Sequence, residues 1–233
     1  MKKLGMMLTA LVLVFTLVAG SLTVFAAGET AADKAPTPDD VSGFVLVSEV
    51  VPDVMQDMRY YSTNNFLGER IDGYEEPVAL LTKEAAEALK KVSDLVTKKG
   101  YRLKIFDAYR PQAADEQIMK WTQDKKNKKM KEYFYPNLDK EDLVDEGWIS
   151  ETSANSHGST VCVTLYDMEN GKDFDMGTSF DFMDDCSRAD NDTTSFAQDL
   201  NREILVEFLG KLFWLCIYFN SHFCGIIFNP PSK

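Results

Sequence analysis

The chain has 233 residues, with 37 Asp and Glu against 25 Lys and Arg and a formal net charge of −12 at pH 7. That length is enough for one domain with a real core. So acidic a balance argues against nucleic acid as a partner, because phosphate backbones are bound through clustered cations.

Lys2 and Lys3 precede an apolar run from Leu8 to Phe25 that ends in the small residues Ala26 and Ala27. This is the pattern of an export signal over residues 1–27, cut near Ala26 or Ala27. The alternative is an uncleaved membrane anchor, since the run approaches the roughly 18–20 residues that span a bilayer. Gly20 and Ser21 interrupt it and favour cleavage. The mature protein is then expected outside the cytoplasm, secreted or wall-associated, and loss of the two lysines takes its net charge to about −14. Residues 28–43, polar and holding Pro36 and Pro38, read as a flexible tether, with one domain over residues 44–233. All four cysteines follow residue 160, so pairing is open but a disulfide framework is not expected.

From Phe44 to Tyr61 a β-branched run broken at Pro52 predicts a strand, a turn and a second short extended piece. The Asn-, Gly- and Pro-rich stretch after it is a loop. Ala85, Leu89, Val92 and Val96 have helical spacing, with Thr82 as N-cap and Gly100 just past the end. A strand, YRLKIFDAY, leads to Arg110-Pro111 and a helix containing Ile118, Met119 and Trp121. The lysines of residues 125–131 read as a solvated helix face. Val161 to Tyr166 is a buried strand with Cys162 and Thr164 on the face opposite Val161, Val163 and Leu165. A closing helix carries Phe196, Leu200, Ile204, Leu205 and Phe208 at helical intervals. The order of elements predicts an α+β domain with a small, mostly antiparallel sheet flanked by helices.

The segments IFDAYRP at 105–111 and SANSHGSTVCVTLYD at 153–167 resemble the D-alanyl-D-alanine dipeptidases of the VanX type, a family of zinc metallopeptidases. So do, in the same order, DMRYYSTNNFLGERIDGYEEP, LLTKEAAEAL, EYFYPN, EDLVDEGWI and DMGTSFDFMDD. The likeness runs from about Val45 to Phe208, and the tail from about residue 211 diverges from the family. It implies one zinc per chain and hydrolysis of D-Ala-D-Ala or short wall-derived peptides. The alternative is a catalytically inactive member that binds such peptides, with zinc weak or absent.

In that family the second segment reads S-x-H-x-x-G-x-x-x-D, whose His and Asp bind zinc, and a later Glu-x-x-His supplies the general base and third ligand. Gly158-Ser159 and Thr164-Leu165 fix the register here, so Asn155 stands at the His and Cys162 at the Asp. Cys162 is a candidate metal ligand, since a thiolate suits zinc, while an alternative is a small buried apolar residue. Asn155, with a neutral amide, is a poor zinc donor. His157 is two residues from the ligand position, a step of roughly 6–7 Å that a zinc bond cannot absorb, and is expected to face solvent. Matching the closing block on His222 makes it the other candidate ligand and puts Phe219 at the general base. Arg110, in DAYRP, matches the family arginine that steadies the developing oxyanion and is the catalytic candidate. The other reading pairs it with Asp107.

Overall fold

The computed structural model describes residues 41–189 and 191–210, together with the backbone of Leu215–Ile217 and Ile226–Phe228. The leader and most of the tether, with His222 and Phe219, lie outside the described residues. No described helix is long and apolar enough to cross a membrane.

The first strand, β1 (Phe44–Leu46), runs antiparallel to β3 (Leu80–Thr82) in a two-stranded sheet. Between them the β-branched run turns into one helical turn, α1 (Val47–Val50), before β2 (Met55–Gln56). An extended piece would not bury Val47 and Val51, which are 0% and 1% exposed beneath α2 (Lys83–Thr97). That helix begins as its sequence predicts: the Thr82 side chain accepts from the Ala85 amide, and Ala85, Leu89, Val92 and Val96 are all buried. It ends before Gly100, whose φ of 85° is a left-handed conformation glycine adopts freely.

The second sheet is built on β4 (Tyr101–Asp107) and β5 (Thr160–Asp167), which are antiparallel with Ile105 opposite Val163 and Asp107 opposite Cys162. Its order is β2, β4, β5, β8 (Ile226–Phe228), β7 (Leu215–Ile217), and β6 (Lys172–Asp173) also pairs with β5. Only β2 and β4 are parallel among these ladders, so the sheet is mostly antiparallel as expected. Val161, Val163 and Leu165 face one core with α2, and α6 (Phe196–Gly210) adds Leu205 and Leu209 to it.

A second, aromatic core joins Tyr60, Phe66, Trp121, Tyr135 and Trp148. It is framed by α3 (Gln112–Gln123) and α5 (Lys140–Asp145), with the short α4 (Lys131–Phe134) between them in sequence. Lys140 ties this layer together. Its ammonium donates to the carbonyls of Trp121 and Asp124 at the C-terminus of α3 and sits 3.7 Å above the Trp121 ring.

Two readings of the sequence are corrected here. Residues 124–130 are turns and irregular chain, with the four lysines other than Lys131 lying outside any helix, because Asp124, a C-cap with ψ of 83°, ends α3 before them. The lysines are spent locally, Lys125 on Glu141, Lys128 and Lys131 on Asp139, and Lys129 on the Gly68 carbonyl. On α6, Phe196 and Leu200 are exposed, while Arg202 is buried. The helix packs through its later turns, and Arg202 enters the interior because its guanidinium donates to the carbonyls of Met176, Arg188 and Cys186.

Candidate active site

The site forms at the seam of the two cores, where β4 runs out. Asp107 is its last residue, and Arg110 follows three residues later, just before Pro111 starts α3. Opposite lies a short 3₁₀ turn, Ala154–His157. Ser153 caps that turn, its hydroxyl accepting from the Asn155 amide. Gly158 closes it at φ 67°, so tightly under Phe44 that a Cβ there would lie 2.5 Å from the Phe44 ring. The main-chain N–H of Arg110 donates to the Asn155 carbonyl at 3.2 Å, joining the turn to the strand end.

Arg110, Asn155 and Cys162 therefore converge, with Asp107 at their centre. Asp107 Oδ2 accepts from Arg110 Nε at 3.1 Å and Nη2 at 2.9 Å, and from Asn155 Nδ2 at 3.1 Å. Its Oδ1 accepts from the Tyr74 hydroxyl at 2.7 Å. Burial raises the Asp107 pKa above the usual carboxylate value even though the Arg110 charge and the hydrogen bonds from Tyr74 and Arg110 pull it down. Burial also opposes the charge of Arg110, but Tyr60, Asp107, Tyr74 and Asp115 around it more than offset that and keep it a fixed cation. The guanidinium lies over the Tyr60 ring, and Nη2 is 3.4 Å from the Tyr60 hydroxyl.

That hydroxyl donates in turn to Asp181 at 2.9 Å. Asp181 holds an unusual φ of 61° and lines a cleft of about 420 Å³ with Arg59, Phe106, Thr164 and Phe180. Burial pushes its pKa up to about 7. An acid whose pKa rises on folding binds its proton more tightly in the native state, so stability is lost as pH rises from the unfolded value near 4 through 7. Asp181→Asn keeps the acceptor for Tyr60 and tolerates the left-handed backbone. The variant should be more stable than the parent at pH 8, by on the order of 2 kcal/mol, with the difference shrinking below pH 4. Parallel denaturation curves for the two proteins at pH 8 and below pH 4 would show this idea wrong.

Asn155 Nδ2 and Cys162 Sγ are 3.5 Å apart. Two ligands on one tetrahedral zinc, at bonds of about 2.0–2.3 Å, are separated by about 3.3–3.7 Å, so the spacing of a ligand pair is present. Its chemistry is not. The Asn155 amide turns its NH2 toward Asp107 and Cys162, and Cys162 is disulfide-bonded, which leaves no thiolate for a metal. Among the described residues no group of three or more His, Cys, Asp or Glu side chains could hold a metal ion. The described donors do not fit zinc. His157 is exposed at the end of its turn. Cys186 is a free thiol.

Sequence reasoning missed the parts of the site far from its two motifs. Tyr60 lies in the DMRYY block and Tyr74 in DGYEE, both quoted for likeness yet given no role. Buried hydroxyls need partners, and that was the available signal.

An α+β domain that holds a strand-end arginine against a capped, glycine-closed turn is the arrangement that the resemblance to metallopeptidases implies. The comparisons give the family: a D-Ala-D-Ala dipeptidase model of the peptidase M15 group matches residues 40–210, and the chain belongs to that family. It is 38% identical over 145 residues to a D-alanyl-D-alanine dipeptidase of Enterococcus faecium, covering 62% of this chain and 72% of the relative. With the D-alanyl-D-alanine dipeptidase of Enterococcus faecalis (strain ATCC 700802 / V583) identity is 34% over 164 residues, covering 70% of this chain and 81% of that protein. With that of Escherichia coli (strain K12) it is 31% over 166 residues, covering 71% and 75%.

Proposed function

We propose that this chain, outside the cytoplasm once its leader is cut near Ala26 or Ala27, binds D-Ala-D-Ala or related short wall-derived peptides beside Arg110, with hydrolysis at or near background. The relatives carry the name of D-Ala-D-Ala dipeptidases, which supports the ligand class. The observation that carries the reading is the Asn155 amide hydrogen-bonded to Asp107 where the resembled family has a metal-binding imidazole. A dipeptide has a carboxylate and an amide carbonyl to offer a fixed cation, and Arg110 is that cation. Asp181, across Tyr60, is of the opposite sign when ionised and suits an ammonium.

Titration calorimetry of the mature chain with D-Ala-D-Ala, with and without added zinc, tests this together with release of free D-alanine. Saturable binding is expected, weakened about tenfold or more by Arg110→Ala, a loss typical of a charged hydrogen-bonding partner. Stoichiometric zinc with turnover above about 1 s⁻¹, an ordinary enzymatic rate, would establish the active zinc dipeptidase instead. Absence of binding would remove the peptide-recognition reading.

A further inference from the structure

Asp115 stands in the first turn of α3 and is 6% exposed. Oδ2 accepts from the Ser153 amide at 3.0 Å and from the Ser156 hydroxyl at 2.8 Å. Oδ1 is 3.7 Å from Arg110 Nη1. One carboxylate thus holds both ends of the turn that presents Asn155 and faces the guanidinium that lies against Asp107. The Arg110 main chain is already bonded to the Asn155 carbonyl, so side chain and backbone join the same two parts of the site.

We infer that Asp115 is a positioning residue, the brace that fixes the 153–157 turn against Arg110 and so sets how the cation meets a bound peptide. The inference rests on the proposed function for its ligand but on the geometry alone for the brace. The chemistry separates two parts of the role. An amide in place of the carboxylate retains one acceptor for the turn, but it removes the charge facing Arg110. A methyl group removes both.

The test uses Asp115→Asn, Asp115→Ala and Ser156→Ala in the full mature chain, with amide hydrogen exchange by residue and D-Ala-D-Ala affinity as readouts. In Asp115→Ala, exchange at Ser153 and Ser156 should rise at least about tenfold while the amides of α2 keep their protection, and affinity should fall about tenfold. In Asp115→Asn the turn should stay protected while affinity falls by a smaller factor, since the acceptor survives and the charge does not. Ser156→Ala should loosen the turn and leave the charge at Arg110 in place, and if Asp115→Ala does not fold, these two variants carry the test. Unchanged exchange at Ser153 and Ser156 in every folded variant overturns the inference. So does exchange that rises equally throughout the chain, which marks general destabilisation. If the parent binds no D-Ala-D-Ala, the proposed function fails, and the brace is then decided by exchange alone.

Discussion

Asp107→Ala should destabilise the domain by about 3–5 kcal/mol, the usual range when one partner of a buried ion pair is removed. The carboxylate is fully buried and accepts from Arg110, Asn155 and Tyr74. Its loss takes the closest acceptor from a guanidinium whose side chain is 13% exposed, and leaves the buried Asn155 amide and Tyr74 hydroxyl without theirs. The cation, left with only the more distant Asp115 as a charged partner, contributes most of that cost. Asp107→Ala combined with Arg110→Met should therefore be more stable than Asp107→Ala alone by at least about 1 kcal/mol, because the stranded charge leaves with its partner. Urea denaturation of the parent, the two single variants and the double closes the cycle. A loss below about 1 kcal/mol for Asp107→Ala, or strictly additive losses, would mean the pair is hydrated and that Asp107 does not organise the site.

Much of the fold was legible because local signals and tertiary demands agree. Thr82 caps α2, Gly100 ends it, and the alternation along residues 161–165 places three apolar side chains in one core. The Val47–Val50 turn was not legible, since β-branched residues favour strands and only packing under α2 overrides that preference. The exposure of Phe196 and Leu200 was hidden for a related reason. Spacing shows which residues share a helix face but not how much of that face is covered. For the site, the register set by Gly158-Ser159 foretold that Asn155 and Cys162 meet, as β5 and the 3₁₀ turn then show. The Tyr60–Asp181 bond spans 121 residues and the Tyr74–Asp107 bond 33, and no short-range pattern encodes contacts of that kind.

Introducing the donors that the resemblance implies is expected to create zinc binding. Asn155→His with Cys162→Asp puts a nitrogen and a carboxylate where two side chains already end 3.5 Å apart, inside the about 3.3–3.7 Å that neighbouring tetrahedral ligands require. Asp107, now bonded to the Asn155 amide, stands ready to accept from the ring N–H of the new imidazole, as a carboxylate does behind many zinc histidines. Zinc affinity in the double variant should rise by at least about a hundredfold over the parent, the scale of a gained ligand pair with an outer partner. Because Cys162 is disulfide-bonded, Asn155→His with Cys162→Ser is the control that opens the same bond without adding a carboxylate. His222→Ala on top of the double variant should lower the affinity again if the sequence register of the closing block is right. Hydrolysis of D-Ala-D-Ala should stay low in the double variant and rise when Phe219→Glu is added, since metal-bound water needs a base to take its proton. Competition against a chromophoric chelator measures the metal, and released D-alanine measures the chemistry. Equal zinc affinity in the double variant and the serine control would mean that Asn155 and Cys162 do not stand at the family's ligand positions, and the assignment of His222 would fall with that register.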